Sequence, residues 1–168
     1  ATDAECDELV AAMDAVGLHK TYKVPGLKKP PRYVGLTQFE KRQASKDDYF
    51  AEVDQAWHEH EAVISKMPWN PFERMWKLIR DLYPECTLTL AEEPGYGRYY
   101  AGIIRDTTGG GTLHADVTMY SARDYIISQV VNQITWNFFA THVDGDGGKT
   151  TLHNRPYRVA VSYTHHRP

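Results

Sequence analysis

The sequence predicts an α+β chain, helices first and a mostly antiparallel run of strands afterwards, and three observations carry that expectation. Apolar residues recur at helical spacing over residues 3–17, 47–66 and 71–82. From Cys86 onward the period drops to two, with Gly- and Asp-rich turns such as Asp144-Gly145-Asp146-Gly147-Gly148 between the runs. A chain of 168 residues that is 42% hydrophobic and 24% charged also suffices for one domain with a real core.

The elements follow in order. Thr2 or Asp3 caps a first helix carrying Leu9, Val10, Met13 and Val16, and Gly17 stops it. Pro25, Pro30 and Pro31 make Lys20 to Gly35 an extended arm or loop, and residues 36–46 are polar without a period. Asp47 or Asp48 caps a second helix to about Lys66, with Phe50, Val53, Trp57 and Ile64 inward. His58 and His60 lie two apart on that helix, on different faces, and read as solvated rather than as a metal pair. Asn70 followed by Pro71 starts a third helix whose stripe of Phe72, Met75, Trp76, Ile79 and Leu82 packs on the core. Cys86 to Leu90 and Arg98 to Arg105 form two strands about the turn Pro94-Gly95-Tyr96-Gly97. Residues 112–118, 126–140, 149–153 and 157–164 are further strands, so the chain divides into a helical part, 1–84, and a β part, 85–168.

Charge and cysteine usage exclude several classes. A net charge of −3 and a pI near 6.2 leave no electrostatic footprint for nucleic acid. Cys6 and Cys86 stand far apart without a Cys-x-x-Cys spacing, so neither a disulfide framework nor a zinc knuckle is expected, and a reducing, cytoplasmic setting is the default. No apolar run is long enough to span a bilayer, and the start, Thr2-Asp3-Ala4-Glu5, is acidic where a signal peptide is basic. The expected partner is a small molecule.

The stretch with chemistry in it is Gly109-Gly110-Gly111-Thr112-Leu113-His114-Ala115-Asp116. On a strand, His114 and Asp116 project to one face while Leu113, Ala115 and Val117 project to the other. An imidazole and a carboxylate on one rigid face begin a two-His, one-carboxylate triad for non-haem Fe(II). Tyr99, Tyr100, Met119, Tyr120 and Tyr125 are candidates either for a pocket lining or for the core.

Several blocks in order carry a family resemblance: Tyr100 to Asp106, Leu113 to Asp116, Ile134-Thr135-Trp136-Asn137-Phe138, and Gly147-Gly148-Lys149-Thr150 running into Asn154-Arg155-Pro156-Tyr157. Together they resemble the core of an Fe(II)- and 2-oxoglutarate-dependent oxygenase, of the bacterial branch that includes hydroxylases and aliphatic halogenases. The resemblance implies a double-stranded β-helix, a jelly-roll or cupin-like barrel, with the N-terminal helices packed on one sheet. It implies Fe(II), 2-oxoglutarate and O2, and hydroxylation or desaturation of an aliphatic C–H bond in a natural product or amino-acid-like substrate. Asp116 fills the position that halogenating members leave to chloride, so the resemblance points to a hydroxylase. It also implies an arginine fork for the distal carboxylate of 2-oxoglutarate; Arg158 is the candidate, with Ser162 on the same strand face.

The third metal ligand has no counterpart in the family's position. His153, His165 and His166 are the candidates, with His142 ahead of the glycine turn. The strand count falls short at the same place, which predicts a missing segment between Tyr157 and Arg158. The alternatives are a cupin-like barrel that binds without catalysis, and a Zn- or Mn-dependent isomerase or hydrolase on a similar barrel.

Overall fold

The computed structural model describes residues 1–17, 19–22, 29–38, 41, 45–107, 114 and 116–141. Among them the elements run α1 (Asp3–Val16), β1 (Lys20–Thr21), β2 (Arg32–Val34), α2 (Lys46–Phe50), α3 (Val53–Ile64), α4 (Pro71–Leu82), β3 (Glu92–Glu93), β4 (Gly97–Arg98), β5 (Ile104–Asp106) and α5 (Thr118–Ser121). A 3₁₀ turn at Ile126–Gln129 follows.

The helix ends are set by their caps. Thr2 accepts from the Glu5 amide (3.3 Å) while the Glu5 carboxylate accepts from the Thr2 amide (2.8 Å), which satisfies two orphan donors of α1 at once. Gly17, at φ +65°, closes α1 in the left-handed conformation. The expected helix over 47–66 is two helices, and its cap is Ser45; Asp48 is the return partner in that capping box. The chain turns at Ala51 and Glu52, and α3 then buries Val53, Ala56, Glu59, His60 and Val63. Asn70 caps α4 as expected, accepting from the Phe72 and Glu73 amides at 2.9 and 3.2 Å. The stripe on α4 does not enter the core: none of its residues is buried, and Leu78 and Leu82 are 47% and 55% exposed.

Among the described residues two small sheets are present, and both are open. β1, β2 and β5 pair antiparallel in that order, and β3 and β4 form a hairpin. The arm expected to be loop thus supplies two strands of the larger sheet. Arg32 on β2 and Asp106 on β5 lock it with an ion pair at 2.9 Å. The double-stranded β-helix is overturned here. Ladders two or three residues long with free edges cannot curl two sheets into a barrel, which needs a continuous set of paired strands. Among the described residues, 86–90 and 131–139 belong to no ladder, and 118–121 are helical. The expected strands at 149–153 and 157–164, and the join at Tyr157 and Arg158, lie outside the described residues.

The described residues build two apolar centres. One gathers Leu36, Tyr49, Val53, Ala56, Tyr99, Tyr100, Ala122 and Tyr125; the other gathers Leu9, Ala12, Met13, Val34 and Val63 between α1, α3 and β2. Tyr99, Tyr100 and Tyr125 are therefore core residues, while Met119 and Tyr120 are 44% and 40% exposed. Gly35 sits where the centres meet, at φ +107°, and a Cβ there would lie 2.3 Å from the Tyr100 hydroxyl. Only glycine fits that approach.

Candidate functional site

His114 and Asp116 stay close in space, although not on a regular strand. His114 Nε2 lies 3.8 Å from Asp116 Oδ1, with side chains 66% and 59% exposed. Just beyond, the Thr118 amide donates to Gln133 Oε1 at 2.8 Å, which ties the start of α5 to the segment 131–139. Two donors bound to one ion at about 2.1 Å stand roughly 3.0–3.4 Å apart at octahedral or tetrahedral angles, so these exposed side chains would have to close by about half an ångström to share a cation. The described residues contain no group of three or more His, Cys, Asp or Glu placed to hold a metal. Arg158, Ser162, His142, His153, His165 and His166 lie outside the described residues.

A second polar centre is built on Glu93, whose side chain is 3% exposed. It takes the Lys46 ammonium from α2 and the Tyr99 hydroxyl, and the Ile126 amide donates to Oε2 at 2.8 Å. Burial pushes the carboxyl up, but the hydrogen bonds from Lys46, Tyr99 and Ile126 and the Lys46 charge together hold it below its ordinary value of 4.5. Desolvation, followed by the bond to this carboxylate, pushes the Tyr99 hydroxyl well above 10. One carboxylate thus joins α2, the β3–β4 hairpin and the 3₁₀ turn.

His60 corrects the solvated reading: it is 6% exposed, its ring 4.0 Å from that of Phe72 and 5.3 Å from that of Trp57. The Tyr100 hydroxyl donates to Gly102 O (3.3 Å), so its oxygen accepts from His60 Nδ1–H at 3.2 Å. Burial holds the imidazole below its ordinary 6.5, hence neutral. No period in the sequence marked Glu93 or His60. The one available signal was the aromatic density around them, at Phe50, Trp57, Phe72, Tyr96, Tyr99 and Tyr100.

Between α2–α3 and the β3–β4 hairpin runs a cleft of about 570 Å³, walled by Phe50, Trp57, Leu90 and Tyr96 with Asp54 and Arg98 at its polar edge. A neighbouring hollow of about 730 Å³ shares Leu90 and Arg98 and is bounded by Trp76 and Glu92.

No family model matches the chain, and no solved structure does. Over 123 residues the chain is 32% identical to the leucinostatins biosynthesis cluster protein S of Purpureocillium lilacinum; the match covers 73% of this chain and 49% of that protein. The chain therefore spans about half the length of that relative. The assignment to the Fe(II)- and 2-oxoglutarate-dependent oxygenases does not stand, nor do hydroxylation and the dioxygenase reading drawn from it. The sheets are open, no family model supports the assignment, and the described residues lack a three-donor metal cluster. The cupin-like and isomerase or hydrolase barrels fall with the barrel itself. No described helix is long and apolar enough to cross a membrane.

Proposed function

We propose that this chain is part of an enzyme of small-molecule biosynthesis in which His114 and Asp116 hold a divalent cation at a face open to solvent. The observation that carries it is the 3.8 Å approach of imidazole nitrogen to carboxylate oxygen, with both side chains more than half exposed. An ion pair alone gains little at such exposure, whereas a cation with open positions uses the same two donors and leaves room for a substrate oxygen or water. A bound cation supplies polarisation of such an oxygen, or a water of lowered pKa. The relative's name, which places it in a biosynthesis cluster, supports small-molecule metabolism as the setting.

The test is calorimetric titration of the metal-free chain with Fe(II), Mn(II) and Zn(II), each with and without 2-oxoglutarate. One ion per chain is expected, with affinity falling about tenfold or more in both His114→Ala and Asp116→Ala while the metal-free melting temperature holds. Unchanged affinity in either variant overturns the assignment. A gain in affinity with 2-oxoglutarate present would add that molecule as a ligand of the bound ion.

A further inference from the structure

We propose that the cleft between α3 and the β3–β4 hairpin binds an organic ammonium ion, its charged head beside Asp54 and its apolar body among Phe50, Trp57 and Tyr96. The cleft, about 570 Å³ and widely open to solvent, has room for a metabolite-sized ligand that keeps one side in water. The charges decide the sign of the occupant. Asp54, exposed on the first turn of α3, makes no hydrogen bond or ion pair among the described residues. Arg98, the other charge of the cleft, is already matched: its Nε donates to Glu92 Oε1 at 3.1 Å. The polar edge thus carries one uncompensated negative charge.

The walls supply apolar surface for the body of the ligand. Phe50 and Tyr96 stack with centroids 4.9 Å apart and planes 30° apart, and Trp57 lies beside them against Tyr100. A carboxylate ligand would instead meet Asp54 and compete with Glu92 for Arg98. Gly97, at φ +107° with nothing within 4 Å of a built Cβ, leaves the mouth of the cleft open. The plainer role for Asp54 is to favour the positive end of the α3 dipole, and that role has no consequence for ligand selection.

The experiment uses the full chain in metal-free buffer, so it stands apart from the His114 and Asp116 assignment. Three probes share one body: 2-phenylethylammonium, 2-phenylethanol and 3-phenylpropionate. Binding is read from the indole signal of Trp57 in nitrogen–proton correlation spectra, assigned with Trp57→Phe. The ammonium probe should bind about tenfold tighter than the other two, a step of roughly 1.4 kcal/mol. Asp54→Asn should erase that preference with little change in melting temperature, and Arg98→Gln, which frees Glu92, should strengthen it. Equal binding of the three probes, tighter binding of the propionate, or a preference that survives Asp54→Asn overturns the proposal.

Discussion

Replacing Glu93 by Ala should destabilise the chain more than any other single carboxylate change in the described residues. The substitution leaves the Tyr99 hydroxyl and the Ile126 amide without their acceptor and strands the Lys46 ammonium. Breaking a fully buried pair from one side costs about 3–5 kcal/mol. The Lys46 side chain is 28% exposed and recovers some hydration, which brings the loss to about 3 kcal/mol. At the melting point that corresponds to roughly 6–12 °C for a chain of this size. Glu93→Gln keeps an acceptor and removes the charge, so it should lose about half as much. Because the folded carboxyl lies below its ordinary 4.5, its charge contributes stability above that pH, and the contribution is lost as pH falls through the folded value. The gap between wild type and Glu93→Gln in urea melts followed by tryptophan fluorescence should therefore be full at pH 7 and narrow only once pH falls below 4.5. A Glu93→Ala variant within about 0.5 kcal/mol of wild type at pH 7 would refute the reasoning.

Gly102→Ala should cost about 3 kcal/mol, since φ is +95° and the new methyl would lie 2.3 Å from the Phe72 ring; denaturant midpoints measure it. His60, neutral by burial, should titrate below 6.5 in proton NMR, and its contribution to stability is present above 6.5 and lost as pH falls through the folded value. Asn70→Ala removes the acceptor for two amides of α4 and should cost about 1 kcal/mol of stability, read as a loss of helical circular dichroism on heating.

Local signals were legible in the chain wherever they depended on a few neighbouring residues. Thr2, Gly17, Asn70 and Pro71 mark helix ends by their own chemistry, and the hairpin turn at 94–96 falls where Pro94-Gly95 places it. The division at Ala51 was hidden because Val53 and Trp57 continue the spacing begun by Phe50 across the break. Alternation from Cys86 onward argues for strand, yet residues 86–90 and 131–139 enter no ladder among the described residues: alternation cannot report which partner pairs with it, and a barrel is a statement about partners. The sheet found its strands instead in Lys20–Thr21 and Arg32–Val34, where prolines argued for loop. His114 and Asp116 were legible as neighbours because a separation of two positions is short enough to keep their side chains near each other without a ladder. Glu93 was not, since its three donors come from positions 46, 99 and 126.

The way α4 is moored bears on how the chain comes apart. Its attachments gather at one end: the Asn70 cap, the Phe72 ring against His60, and Arg74 paired with Glu5 of α1 at 2.7 Å and stacked over Trp69 at 4.5 Å. From Met75 to Leu82 no side chain is buried. Fraying should therefore travel inward from Leu82 and halt at Arg74, as a graded unzipping that leaves α1 and α3 closed. Amide hydrogen exchange would show it as protection that declines residue by residue along α4, with a denaturant dependence far smaller than that of global unfolding.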